Sequence, residues 1–128
     1  MPITYERDDE RQRVIVTTIG IVGLDDLTAV IDRQAAEGTW QYGMLYDSRR
    51  VVSVASQAEV RTGLKHVESV SRIHGRRGPV AFVTTMPAAY GMVRMYSTLA
   101  GELQQAVEVF RDFGDAERWL AARLGPGG

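Results

Sequence analysis

The stretch YGMLYD at residues 42–47 is apolar almost throughout, and a second such stretch, VAFVTT, follows at residues 80–85. Between them, residues 56–74 place apolar side chains at the three- and four-residue spacing of one helix face. Apolar strands separated by a helix are typical of a parallel sheet covered by helices. The two stretches therefore predict a β-α-β unit at the centre of an α/β fold.

Further elements extend this unit in both directions. The pattern predicts strands at residues 3–6, 14–19 and 106–110, and helices at residues 24–37, 87–104 and 115–124. The order is β-β-α-β-α-β-α-β-α, with a mainly parallel sheet and an antiparallel edge formed by the opening pair. We expect residues 1–124 to form one domain and residues 125–128 (GPGG) to form a flexible tail.

Composition limits the class of protein. The chain has 128 residues, 45% hydrophobic and 24% charged, as expected of one globular domain. It has no cysteine, which excludes disulfides, a thiol nucleophile and a thiolate metal site. The N-terminus does not resemble a signal peptide, and no apolar stretch approaches the roughly 20 residues that span a bilayer. We therefore expect a cytoplasmic protein without a transmembrane segment.

Charge is unevenly distributed along the chain. The net charge is −1, but residues 48–94 contain eight basic and two acidic residues and carry +6, whereas the remainder carries −7. Arg76 and Arg77 lie together in the predicted turn GRRGP, residues 75–79. Such asymmetry can steer an anionic partner. The alternative interpretation is a solvated helix face followed by an exposed turn.

Motifs for chemistry are mostly missing. The sequence contains no phosphate-binding loop, no dinucleotide-binding glycine pattern and no nucleophile elbow. His66 and His74 are eight residues apart on one predicted helix, which does not make a metal site without other ligands. We predict no cofactor and no metal site. The net charge, with no interleaving of aromatic and basic residues, argues against nucleic acid as a partner.

Asp47 is the one candidate acid or base. It ends a predicted central strand, the edge at which α/β folds place their ligands. The alternative interpretation is that Asp47 caps a helix or pairs with Arg49. Ser48, Ser53 and Ser56 follow, in what we expect to be one loop, and a phosphate there would add about −2 charge. Ser56 with Glu59 also matches a capping box, which predicts an N-cap instead.

The third predicted helix contains a second group of candidates. Tyr90 and Arg94 are four residues apart, and Met86, Met92 and Met95 lie near them in sequence. Flexible methionines suit an adaptable apolar pocket, although they are equally ordinary core residues.

Four segments together resemble a known family. These are PVAFV at residues 79–83, AYGMVRMY at 89–96, VFRDF at 109–113 and AERWL at 116–120. The chain resembles the SpoIIAA-like proteins, small bacterial proteins grouped with the STAS domains. The resemblance implies a sheet of four or five strands with helices largely on one side. It also implies a fold shared with the CRAL-TRIO lipid carriers, which bind hydrophobic ligands.

The resemblance bears on the serines as well. Signalling STAS domains carry a phosphorylated serine in an Asp-Ser-Ser-Gly-like turn before a helix. The corresponding residues 53–57 here, SVASQ, lack the acid and the glycine. The resemblance therefore argues against a kinase-driven switch, while Ser53 and Ser56 stay candidates for modification.

Three hypotheses of function follow. The first is a non-catalytic regulatory or protein-binding module of STAS type, and the second is a carrier of a lipid or another small hydrophobic ligand. The partners we expect are a protein or a small hydrophobic or anionic ligand. The third is an enzyme that uses Asp47. A homodimer is also predicted, because an exposed edge strand invites pairing. The candidate binding residues are Asp47, Arg49, Ser53, Ser56, Arg76, Arg77, Tyr90, Met92 and Arg94.

Overall fold

A computed structural model describes residues 3–124 of the chain. Its elements are β1 (Ile3–Asp8), β2 (Arg13–Gly20), α1 (Leu24–Ala36), β3 (Gly43–Val51), α2 (Gln57–His74), β4 (Val80–Val83), α3 (Pro87–Gly101), β5 (Val107–Phe110) and α4 (Phe113–Leu124). The predicted order of elements is confirmed. The tail predicted at residues 125–128 lies outside the described residues.

The five strands form one sheet in the order β1-β2-β3-β4-β5. β1 runs antiparallel to β2, and the other three pairings are parallel. The register places Val16, Tyr46 and Phe82 side by side on neighbouring strands. The predicted mainly parallel sheet with an antiparallel edge is therefore confirmed.

The helices cover both faces of the sheet unequally. Met44 and Tyr46 of β3 belong to a buried cluster with side chains from α1, α2 and α3. Leu45, between them, points to the other face and packs on Ala116 and Leu120 of α4. Three helices thus lie on one side and one on the other, as expected for helices largely on one side.

The predicted end of the central strand was wrong. β3 continues past Asp47 to Val51, because it keeps pairing with β2 through Ile19–Arg50 and Gly20–Val51. Its pairing with β4 does end at Asp47, opposite Val83. Ser48 and Arg49 are therefore strand residues rather than loop residues.

The predicted end of the third helix was also wrong. α3 ends at Gly101, and Gln104 has a left-handed backbone with φ 58°. Leu103 therefore lies beyond the helix and is 37% exposed.

Residues 3–124 lack two features. None of the helices there is long and apolar enough to cross a membrane. The same residues contain no group of three or more histidine or acidic side chains arranged to hold a metal ion.

Candidate ligand-binding pocket

A pocket of about 160 Å³ lies between the sheet and the three helices on its larger covered face. α1, α2 and α3 supply Leu27, Ile31, Val60, Met92 and Val93, so the lining is mostly apolar. Together the strand ends and helices form a concave apolar space, the usual form of a small-molecule site.

Three aromatic rings line this pocket, two from the sheet and one from α3. Tyr46 and Phe82 stack with their ring centroids 4.7 Å apart and an interplanar angle of 10°. Tyr96 of α3 meets Phe82 edge-on at 6.0 Å and 69°. Such pairs present apolar surface, and the two tyrosines add a hydroxyl group at the tip of each of their rings. The pocket therefore has a fixed aromatic wall with two phenols.

Arg77 lines the same pocket, and its side chain is buried. Only 4% of this residue is exposed. Its Nε donates a hydrogen bond to Gln34 Oε1 at 2.8 Å, and its Nη2 donates one to the Tyr46 hydroxyl at 3.0 Å. The expectation that Arg77 lies in an exposed basic turn was wrong.

The local backbone explains this burial. Gly78 N donates to Trp40 O at 2.9 Å, which draws the turn before β4 against the turn before β3. A Cβ at Gly78 would lie 2.5 Å from the Gln41 carbonyl oxygen, so only glycine allows this close approach. Arg77 is thereby directed inward, with its guanidinium 5.3 Å from the centre of the Trp40 ring.

Gln34 fixes the position of Arg77. It is fully buried on α1, and its Nε2 donates to the carbonyl oxygens of Thr39 at 3.1 Å and Trp40 at 3.3 Å. Its Oε1 is thus turned toward Arg77. An amide held on both sides in this way has little freedom to move away from the guanidinium.

The charge of Arg77 has no acidic partner. Gln34 and Tyr46 are neutral, and within residues 3–124 no carboxylate oxygen lies within 4.0 Å of its guanidinium. Burial raises the pKa of the neighbouring Tyr96 to about 12, although the charge of Arg77 acts in the opposite direction. The buried end of the pocket therefore carries one positive charge and neutral phenols.

The mouth of the pocket is formed by two joined loops. Ser53 Oγ accepts a hydrogen bond from Val22 N at 3.0 Å, and Val52 N donates to Gly20 O at 2.9 Å. The exposed apolar side chains beside these contacts are Ile21, Val52 and Val54. Ser53 therefore holds the two loops together at the pocket entrance.

Asp47 and Arg49 lie on the opposite face of the sheet. Arg49 Nε and Nη2 donate to the two carboxylate oxygens of Asp47, each at 2.8 Å. These hydrogen bonds lower the pKa of Asp47, although partial burial opposes them. The Arg49 guanidinium also lies 5.3 Å from the centre of the Phe113 ring, near the start of α4. Asp47 thus has the pairing that we gave as the alternative to a catalytic role.

The other predicted site residues are dispersed. Ser56 is the N-cap of α2, and its Oγ accepts from Glu59 N at 3.1 Å, so the predicted capping box is confirmed. Arg94 is exposed on α3. Tyr90 has the Arg111 guanidinium 4.1 Å from its ring centre. Of the nine predicted residues, Ser53, Arg77 and Met92 line the pocket.

A second cavity, of about 200 Å³, adjoins the first through Arg77. Arg76, exposed there, donates to Gln104 Oε1 at 2.6 Å. Gln105 also lines this cavity, and within residues 3–124 both polar atoms of its buried amide lack a hydrogen-bond partner.

The sequence patterns revealed neither Tyr46 as a lining residue of the pocket nor Gln34 as the partner of its arginine. Gln34 continues the apolar face of α1 that Leu27, Val30 and Ile31 define, and a polar residue on such a face signals a buried partner. Tyr46 was recognised only as a strand residue.

Comparison with known proteins gives the fold. No protein-family model matches the chain, and no curated protein sequence matches it. One similar structure is an uncharacterized protein from the DUF3478 family with a SpoIIAA-like fold, from Shewanella loihica PV-4. It has a TM-score of 0.56 and 15% identity over 92% of this chain and 91% of that one. Another is the anti-sigma factor antagonist SpoIIAA in its unphosphorylated form, with a TM-score of 0.51 and 13% identity over 91% of this chain and 94% of that one. At these identities the likeness concerns the backbone alone, and it confirms that this chain has the SpoIIAA-like fold.

Proposed function

We propose that this chain is a non-catalytic binding module whose helix-side pocket holds a small, largely apolar ligand. The observation that carries the proposal is the apolar pocket between α1, α2, α3 and the sheet. An engineered apolar cavity of about 150 Å³ in another protein takes up benzene. A volume of about 160 Å³ thus suits a ring-sized or short-chain molecule rather than a complete phospholipid.

The acidic groups support a non-catalytic role. Asp47 is neutralised by Arg49 and lies on the far side of the sheet from the pocket. Glu59 does line the pocket, but its Oε1 accepts a hydrogen bond from Ser56 N at 3.0 Å and so serves the helix cap. Neither carboxylate is placed as a free acid or base beside a bound ligand.

Native mass spectrometry of gently purified, untagged protein tests the proposal. We expect an added mass of roughly one to two hundred daltons, consistent with a cavity of this size. Mild collisional activation should remove it. If the protein instead carries no added mass and takes up none of a panel of ring-sized compounds, the proposal is wrong.

A regulatory, protein-binding role is the second candidate. It is favoured by the exposed apolar side chains of Ile21 and Val52, which are 77% and 68% exposed on the joined loops. If a partner docks an apolar segment on these side chains, changing both residues to serine should lower the amount of partner that is captured by crosslinking. Ile73→Ser is the matched control, because Ile73 is 80% exposed at the other end of α2. Equal loss with the control would remove this candidate.

A further inference from the structure

We propose that the ligand of the helix-side pocket is a small monocarboxylate whose anionic group binds Arg77. The inference rests on the proposed function and adds the chemistry of the ligand's head group. The cation at the buried end of an otherwise apolar pocket carries it.

Burial of the Arg77 guanidinium has an electrostatic cost. A guanidinium stays charged at any physiological pH, and removing it from water is unfavourable unless a counter-charge is present. Gln34 and Tyr46 supply neutral oxygens, and the Trp40 ring supplies a π face. These contacts orient the guanidinium but leave its charge uncompensated. An anion entering the pocket would supply the missing charge.

The geometry and the charge of Arg77 determine which anion fits. The planar fork of an arginine matches a carboxylate in geometry. The buried end holds one positive charge, so a monoanion balances it, whereas a dianion would leave one negative charge buried. Tyr46 and Tyr96 add phenolic hydroxyls beside it, and a phenol is protonated at neutral pH and able to donate a hydrogen bond.

The lining beyond Arg77 determines what the body of the ligand can be. The space beyond Arg77 is lined by Phe82 and by apolar residues of the helices. Among residues 3–124, Glu59 is the only acidic side chain of the lining, and it belongs to the first turn of α2. Val67 shares the second cavity with Arg77 and lies eight residues beyond Glu59 on that helix, which is roughly 12 Å at 1.5 Å per residue. The Glu59 carboxylate therefore belongs to the end of the pocket away from the cation. The pocket therefore suits a ligand that has an anionic head at one end and an apolar body.

Benzoate and benzamide form a matched pair of probes, because they share shape and size and differ in charge. We would titrate each into the wild-type protein at pH 7 and follow binding by calorimetry and backbone amide NMR shifts. Benzoate should bind about tenfold to a hundredfold more tightly than benzamide, the range that hydrogen bonds to a charged group give. The shifts should centre on Met92 and Val93.

Three variants assign the preference to Arg77. Arg77→Gln should bring the ratio of the two affinities to about one, and Arg77→Lys should keep part of the preference. Arg76→Gln should leave the ratio unchanged, because Arg76 is the exposed neighbour. Should Arg77→Gln fail to fold, the wild-type ratio and the position of the shifts still decide the matter.

The outcomes separate this inference from the proposed function. Equal binding of both probes in the pocket would overturn the role of Arg77 and leave an apolar ligand site in place. Binding of neither probe would count against the pocket itself. Benzoate shifts centred on Leu103 and Gln105 would assign the anion to the second cavity and overturn the inference as well.

Discussion

Arg77 donates a hydrogen bond from Nε to Oε1 of Gln34 at 2.8 Å, across 43 positions of sequence. This contact joins α1 to the turn before β4 in the interior. Gln34→Leu should lower the free energy of unfolding by about 1–3 kcal/mol, because it leaves a buried guanidinium donor unpaired. Urea unfolding followed by circular dichroism measures the change.

The control for that substitution is Gln57→Leu. Gln57 is exposed at the first position of α2, so its replacement should change stability by no more than about 0.5 kcal/mol. Equal effects of the two substitutions would contradict a structural role for the Gln34 amide.

Filling the pocket should weaken binding without unfolding the protein. Gly63 lies on α2 in the pocket lining, where a Cβ would meet Leu24 Cδ1 at a comfortable 3.8 Å. Gly63→Leu should therefore occupy the ligand space and weaken benzamide binding at least about tenfold, the equivalent of 1.4 kcal/mol. Calorimetric titration measures the loss.

Gly91→Leu is the matched control. Gly91 is exposed on α3, with no atom within 4 Å of a Cβ built there. Both substitutions should stabilise their helix by about 0.8 kcal/mol, because leucine has a higher helix propensity than glycine. Only the one at Gly63 should affect binding, and retained affinity in that variant would show that the probe binds elsewhere.

The cap of α2 should be worth a measurable part of the stability. Ser56→Ala removes the acceptor for Glu59 N and should cost about 1 kcal/mol. Ser69→Ala, at an exposed position inside the same helix, should be neutral or slightly stabilising because alanine has the higher helix propensity. Thermal and urea unfolding of the pair give the difference, and a cost at Ser69 equal to that at Ser56 would argue against the cap.

The Asp47–Arg49 ion pair should make a pH-dependent contribution. The folded pKa of Asp47 lies below its usual value of 3.8, so the stabilisation is present above that value and is lost as the pH falls through the folded pKa. Asp47→Asn should therefore be less stable than the wild type at pH 7, by about 1 kcal/mol or less, because Arg49 is 45% exposed. The difference should shrink below about pH 4. Urea unfolding at pH 7 and pH 3 provides the comparison, and a constant difference would mean that the ion pair is not its source.

Local patterns were sufficient to predict the order of the elements. The apolar strands around Tyr46 and Phe82 and the capping box at Ser56 are encoded within a few residues each. Their parallel pairing then follows from general rules of chain geometry. The end of β3 was missed because Ser48, Arg49 and Arg50 are polar, and their strand pairing depends on β2 rather than on their own preference.

The pocket could be predicted only in part, because it depends on tertiary contacts. An arginine between glycines in a turn is usually exposed, and the inward course of Arg77 results from the contact of Gly78 with Trp40. Asp47 and Ser48 are adjacent in sequence, yet strand alternation places them on opposite faces of the sheet. Which face receives the pocket is decided by where α1, α2 and α3 pack.

The order β1-β2-β3-β4-β5 in space repeats the order in the chain. Each strand after the first joins the free edge left by its predecessor, and none has to be inserted between two strands already paired. The sheet can therefore grow in one direction along the chain, one strand at a time. Arg77 lies in the turn before β4 and meets Tyr46 of β3, so the cation becomes buried only when β4 docks on β3.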